Sequence, residues 1–236
     1  MGTMDYCEFF ERFGGSARTK NLRRVAPDDS VAATDAVDGS NDLGKPVFPL
    51  PRVSGLPMEF IRLCPWEMEF LYMVARRAKV GIVEIGRYNG GSTFLLACAA
   101  PGVPIHSIDI APQNDDLLKE LFATHEVGRN VTLIVGDSQH THYDSVGPID
   151  VLFIDGDHSY DGCMADIRNW YDTVIPGGMI VFHDSYIASP AYGVQDAILD
   201  LLAEKQEELQ VIVSPLIGTA HWRYPHGSMA CLQKKR

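Results

Sequence analysis

Short apolar runs alternate with longer helical stretches along most of this chain, and that alternation leaves few folds open. The runs are VGIVEIG, VPIHSIDI, NVTLIVGD, PIDVLFIDGD and PGGMIVFHDS. Each is bounded by turn residues, as expected of a strand buried on both faces. Between them lie GSTFLLACAA, NDDLLKELFATHEV, SYDGCMADIRNWYDTV and PAYGVQDAILDLLAEKQEE, all of helical texture. PWEMEFLYMVARRA precedes the first run, with Pro65 suited to a first helical position and Met68, Leu71, Tyr72 and Ala75 at helical spacing. Asn114 is placed to cap the helix that opens with Asp115 and Asp116. In PGGMIVFHDS a turn is expected before the strand. Strand–helix alternation implies parallel strands, right-handed crossovers and helices on both faces. The last two runs, LQVIVSP and GSMACLQKK, are joined by GTAHWRYPH without a helix, which predicts an antiparallel hairpin. The expected class is therefore α/β: a doubly wound, mostly parallel seven-stranded sheet with an antiparallel C-terminal hairpin.

Residues 1–57 have a different texture. SARTKNLRRV, PDDSVAATDAVDGSNDLGKP and PLPRVSGLP are rich in Pro, Gly, Asp and Ser and hold no apolar period. They read as a tail, or as an arm that orders over a substrate or a sister subunit of a homo-oligomer. Residues 58–236 read as the folded domain. The net charge of −11 argues against nucleic acid and anionic membranes as partners, and no apolar stretch is long enough to span a bilayer. Cys7, Cys64, Cys98, Cys163 and Cys231 are scattered and form no CxxC pair. They read as free thiols in a reducing compartment, so a cytoplasmic location is expected.

Open α/β sheets bind ligands beyond the carboxyl ends of their strands. The first strand delivers Glu84, Gly86 and the loop continuing through Tyr88, Asn89, Gly90, Gly91 and Ser92. The second delivers Asp109, the third Asp137 and Ser138, the fourth Asp155, Asp157 and His158, and the fifth His183 and Asp184. The glycine spacing is not GxGxxG, and no Lys-Ser/Thr pair of a P-loop follows, so the loop suits a ligand without a pyrophosphate. Asp109 is placed to accept from both hydroxyls of a ribose. Asp137, with Ser138 beside it, is placed to accept from an adenine amino group, or else to close an Asx turn.

VEIGRYNGGST, SIDI, VGDS, FIDGDHSYDG and PGGMIVFHD together resemble the class I S-adenosylmethionine-dependent methyltransferases. More narrowly they resemble bacterial small-molecule O-methyltransferases of the macrocin and noviose sugar type, over residues 58–235. The resemblance implies a Rossmann-like methyltransferase fold. It implies that Glu84, residues 86–92, Asp109, Asp137, Ser138 and Asp155 hold S-adenosylmethionine, with Glu84 facing the methionine amino end directly or through the loop. In the sugar-acting relatives an acid at the position of Asp155 and an acid pair ending the fifth strand bind a metal, and the acid at the position of Asp157 acts as base. Here the pair is His183-Asp184.

Methylating a hydroxyl requires aligning it and handling its proton, by a general base or a divalent metal. Asp155, His183 and Asp184 are the expected metal set. Mg²⁺ is the expected ion, with Mn²⁺, Fe²⁺ or Zn²⁺ favoured if the His183 imidazole is a ligand. Alternatively His183 points away, or no metal binds and a histidine is the base. Asp157 and His158 are the expected catalytic pair, although Asp157 also reads as an Asx-turn residue at a helix start. The expected acceptor is a hydroxylated small molecule. An NAD-dependent oxidoreductase and a non-catalytic cofactor-binding subunit are the competing readings.

Overall fold

The computed structural model describes residues 56, 58–141, 143, 146–186, 192–214 and 228–236. The expected arm at 1–57 lies outside these residues apart from Leu56, as does the connecting segment GTAHWRYPH.

A short helix α1 (Met58–Ile61) leads into α2 (Pro65–Arg76), with Pro65 in its first turn. Then follow β1 (Ile82–Ile85), α3 (Gly91–Ala99), β2 (Ile105–Asp109), α4 (Asp115–Thr124), β3 (Val131–Val135) and β4 (Ile149–Ile154). The chain continues as α5 (Tyr160–Trp170), a 3₁₀ turn (Tyr171–Thr173), β5 (Val174–His183), α6 (Val194–Glu204), β6 (Leu209–Val213) and β7 (Met229–Lys234). The seven strands lie in the order β3-β2-β1-β4-β5-β7-β6. The first five are parallel, and β7 is antiparallel to both β5 and β6. The antiparallel C-terminal pair is as expected. That β7 inserts between β5 and β6 is not contained in the run-by-run pattern.

The pleat sorts the core into two layers. On β4, Val151 and Phe153 pack with Phe70 and Leu71 of α2 and Phe94 and Leu95 of α3. Leu152 and Ile154 face the other way, toward Ile167 and Trp170 of α5 and Ile198 of α6. On β1, Ile82 joins the first layer while Val83 and Ile85 join the second. Burying Phe70, Leu71, Phe94 and Trp170, each under 2% exposed, contributes roughly 1.5–3 kcal/mol per side chain.

Two local expectations change. Asn114 occupies the cap position of α4 but makes no side-chain cap bond; its Nδ2 donates to Asn89 Oδ1 at 2.6 Å instead. Pro176-Gly177-Gly178 is not a turn before β5 but lies within it. The strand starts at Val174, its register against β4 slips there, and Gly177 takes φ +88°. A slip that places extra residues against a neighbour is absorbed where glycine adopts positive φ.

Candidate active site at the strand ends

β1 and β4 lie at the centre of the sheet, and their carboxyl ends open into a cavity of about 750 Å³, a size that suits a small ligand. Its walls include Gly86, Tyr88, Asn89, Ser92, Asp109, Asp137, Ser138, Asp155, Asp157, His158 and His183. One cavity thus gathers most of the expected residues.

Gly86 holds the turn out of β1. It has φ +83°, and a Cβ there would stand 2.0 Å from the Asp155 carbonyl oxygen. Only glycine lets the β1 and β4 loops approach this closely. Asp109 Oδ2 accepts from the backbone N–H groups of Arg87 (2.9 Å) and Tyr88 (2.8 Å), and its Oδ1 accepts from Ala111 N (2.7 Å). The side chain of Arg87, fully buried, ties the same loop to Asp115 and to the carbonyls of Ser107 and Ile134. Asp109 is therefore both loop anchor and cavity wall. With two acceptor positions per oxygen, these bonds leave a position on Oδ1 for a ligand hydroxyl.

Glu84 does not line the cavity. It lies on the α2/α3 side of the pleat, fully buried, where Thr93 Oγ1 donates to Oε2 at 2.5 Å and Oε1 has no partner among the described residues. Burial lifts its carboxyl to about 7 against the opposing bonds from Ser107, Ser92 and Thr93. Any influence on a ligand thus acts through the loop and the start of α3.

Asp137 closes its own turn, accepting from Gln139 N at 2.8 Å and pairing with His140 Nδ1 at 2.9 Å. Ser138 is bound into α5. Its hydroxyl donates to Asp166 (2.7 Å), and its carbonyl accepts from Asn169 (2.7 Å) and Trp170 Nε1 (2.9 Å). Both residues shape this wall. Gly90 and Gly91 are not among the cavity's lining residues; they cap and open α3. A Cβ on Gly91 would meet Ile61 Cα at 2.2 Å and Phe60 O at 2.4 Å, so α1 is seated directly on the start of α3.

The acid–histidine cluster lies at the ends of β4 and β5. His158 Nε2 stands 3.3 Å from Asp155 Oδ1 and 3.5 Å from Asp184 Oδ2. One ligand atom from each of Asp155, His158 and Asp184 falls within a 4.8 Å span, the dimensions of a divalent-ion site. The His158 ring stacks on Tyr192, with centroids 5.1 Å apart, and its carbonyl accepts from Gly193 N. Asp184 holds φ +50°, a conformation acids tolerate better than most residues. Burial lifts the Asp184 carboxyl; the Asp155 carboxyl, which burial also penalises, is held below its ordinary range by His183 and His158.

His183 reaches the same acids. Along β5, Met179 and Val181 face the α2/α3 layer while Ile180 and Phe182 face α5 and α6. His183 continues the Met179–Val181 row. Its Nδ1 meets Asp155 Oδ1 at 2.9 Å, and its Nε2 lies 3.5 Å from Glu67 Oε2 on α2. Both nitrogens face carboxylates, and Nδ1 also lies 3.5 Å from Asp184 Oδ1, so His183, like His158, stands beside both Asp155 and Asp184. Glu67, 1% exposed, carries no sequence motif and was missed. Asp157 stands apart from the cluster. Its Oδ1 accepts from Ser159 N at 2.9 Å, Ser159 caps α5 through Gly162 N, and the bond from Ser159 holds the Asp157 carboxyl below its usual range. Such a carboxylate is a weak base, which favours the turn reading for Asp157.

Residues 83–185, from β1 to just past β5, match a family described as a methyltransferase domain. An uncharacterized protein, R132, of Acanthamoeba polyphaga mimivirus is 34% identical over 137 residues, covering 52% of this chain. The chain spans about 60% of the length of that curated relative. Among solved structures, the O-methyltransferase TomG of Streptomyces achromogenes, involved in tomaymycin synthesis and bound to SAM, superposes with a TM-score of 0.58 at 19% identity, covering 75% of this chain and 82% of its own. An O-methyltransferase of Bacillus cereus in complex with SAH gives 0.59 at 18% identity, covering 79% and 88%. At such identities the likeness is one of fold.

Proposed function

We propose that this chain, whose residues 83–185 match a methyltransferase-domain family, moves a methyl group from S-adenosylmethionine to a hydroxyl of a small-molecule acceptor. The observation that carries this reading is the single cavity that joins the glycine loop and Asp109 to the Asp155–His158 cluster. A cofactor site and a proton-handling site sharing one wall are what alkyl transfer to oxygen requires.

Bound S-adenosylmethionine supplies an already activated methyl on a sulfonium, so the protein's work is alignment and proton management. The open position on Asp109 Oδ1 accepts from the ribose, and the 137–139 turn, pinned by Asp166, Asn169 and Trp170, walls the adenine end. Asp155, His158 and Asp184 would hold a divalent ion. Two carboxylates and one imidazole, braced by His183 and Tyr192, make a donor set that suits it. The ion would supply Lewis-acid stabilisation of the acceptor oxygen. His158 would serve this ion as a ligand through Nε2, and the Asp157 carboxylate is held in its turn by Ser159 N. Net charge of −11 disfavours a nucleic-acid acceptor.

The test is transfer of a tritiated methyl group to panels of sugars, catechols and amines, with and without Mg²⁺ or a chelator. Labelling of hydroxylated acceptors that chelation removes supports the reading. Labelling confined to amines would replace oxygen by nitrogen as the accepting atom.

A further inference from the structure

The cavity is lined by carboxylates, yet a class I cofactor carries a carboxylate of its own. Asp109, Asp137, Asp155 and Asp157 all face the space, a wall that suits the sulfonium and the ammonium but opposes an anion. Two arginines line the cavity, and the guanidinium of Arg87 is already bound to Asp115 and to two carbonyls. Arg62 makes no ion pair among the described residues. It is exposed, its guanidinium carbon lying 5.1 Å from the centroid of Tyr88, another residue of the cavity wall. It directly follows Phe60 and Ile61, whose backbone is seated on Gly91 at the first turn of α3. The backbone N–H groups of that turn have no partners within the helix and carry the positive end of its dipole. Arg62 and Tyr88 also hold φ of +54° and +46°. A non-glycine residue stays in that region only where its surroundings impose it.

We propose that Arg62 receives the carboxylate of the cofactor's amino-acid end, with the stacked Tyr88 ring holding the guanidinium over the start of α3. This rests on the cofactor reading above and adds a residue that carries no motif. A planar, permanently charged guanidinium suits a carboxylate, and stacking on Tyr88 pre-organises it. Arg62 is a binding residue here, with no part in the proton chemistry.

The experiment measures two ligands by calorimetry on the full chain and on Arg62→Gln. S-adenosylhomocysteine has the amino-acid end; 5′-methylthioadenosine keeps the adenosine and sulfur but lacks it. Arg62→Gln is expected to weaken S-adenosylhomocysteine about tenfold and to leave 5′-methylthioadenosine unchanged. Removing a cation cannot weaken a contact to the ligand's ammonium, so a selective loss points to the carboxylate. Unchanged affinity for S-adenosylhomocysteine, or an equal loss for both ligands, overturns the assignment while leaving the cofactor reading intact. A wild-type chain that binds neither ligand overturns the cofactor reading and this assignment with it.

Discussion

His183 Nδ1 stands 2.9 Å from Asp155 Oδ1 while its Nε2 faces Glu67 Oε2 at 3.5 Å, so the imidazole bridges two carboxylates across the boundary between sheet and helix. In the proposed ion site His158 is a ligand and His183 a brace. His158→Ala should remove a ligand atom and lower Mn²⁺ affinity by 100-fold or more. His183→Gln, which only loosens Asp155, should cost about 10-fold. Titration of Mn²⁺ followed by electron paramagnetic resonance checks the order. A larger loss at His183 would restore it to the ligand set in place of His158.

Asp109→Ala should act twice. The variant loses the acceptor of the Arg87, Tyr88 and Ala111 N–H groups, so the ligand-free chain should lose about 1–3 kcal/mol, read as a fall in Tm of several degrees. It should also bind S-adenosylhomocysteine more weakly. Weaker binding with an unchanged melting temperature would mean that the backbone bonds to Asp109 contribute nothing, and Asp109 would be a ligand contact alone.

The strand-end acids were legible because a parallel sheet delivers its C-terminal residues to one edge whatever the side-chain details. What was not legible depends on orientation and on chain segments without periodicity. His183 and Asp184 are adjacent, so sequence spacing makes both available as ligands. Only the pleat shows that His183 falls in the row of Met179 and Val181. Glu67 is one helix acid among others until packing brings it to His183. Arg62 lies in an irregular turn that carries no pattern. The insertion of β7 between β5 and β6 depends on which sheet edge stays open, a property of the assembled sheet.

Asp166 provides a pH signature away from the cluster. It is fully buried on α5, with Oδ1 bonded by Ser138 and Oδ2 without a partner among the described residues, and burial lifts its carboxyl from 3.8 to about 6. The native state therefore holds this proton more tightly than the unfolded chain. The stability from this group is full below about pH 4 and is lost as pH rises through about 6. Relative to Asp166→Asn, which does not titrate, the wild type should lose about 2–3 kcal/mol between pH 4 and 7. Urea denaturation of both proteins across that range measures it. A pH-independent gap between them would show that Asp166 is ionised in the fold as in water.

Gly86→Ala tests whether the two halves of the site depend on one close approach. The new Cβ would meet backbone, the Asp155 carbonyl at 2.0 Å, at a φ of +83°. The β1 and β4 loops must part, and a loss of about 2–4 kcal/mol is expected. The acid–histidine cluster should suffer with the glycine loop, since Asp155 is the residue displaced. Full stability and full Mn²⁺ affinity in this variant would uncouple the two.

The most direct measurement is calorimetric titration of the full chain with S-adenosylmethionine, with NADH as the comparison. Saturable one-to-one binding of S-adenosylmethionine, weakened by Asp109→Ala, with no binding of NADH, is the predicted result. No binding of S-adenosylmethionine by a folded chain, or preferential binding of NADH, would contradict the assignment of this cavity.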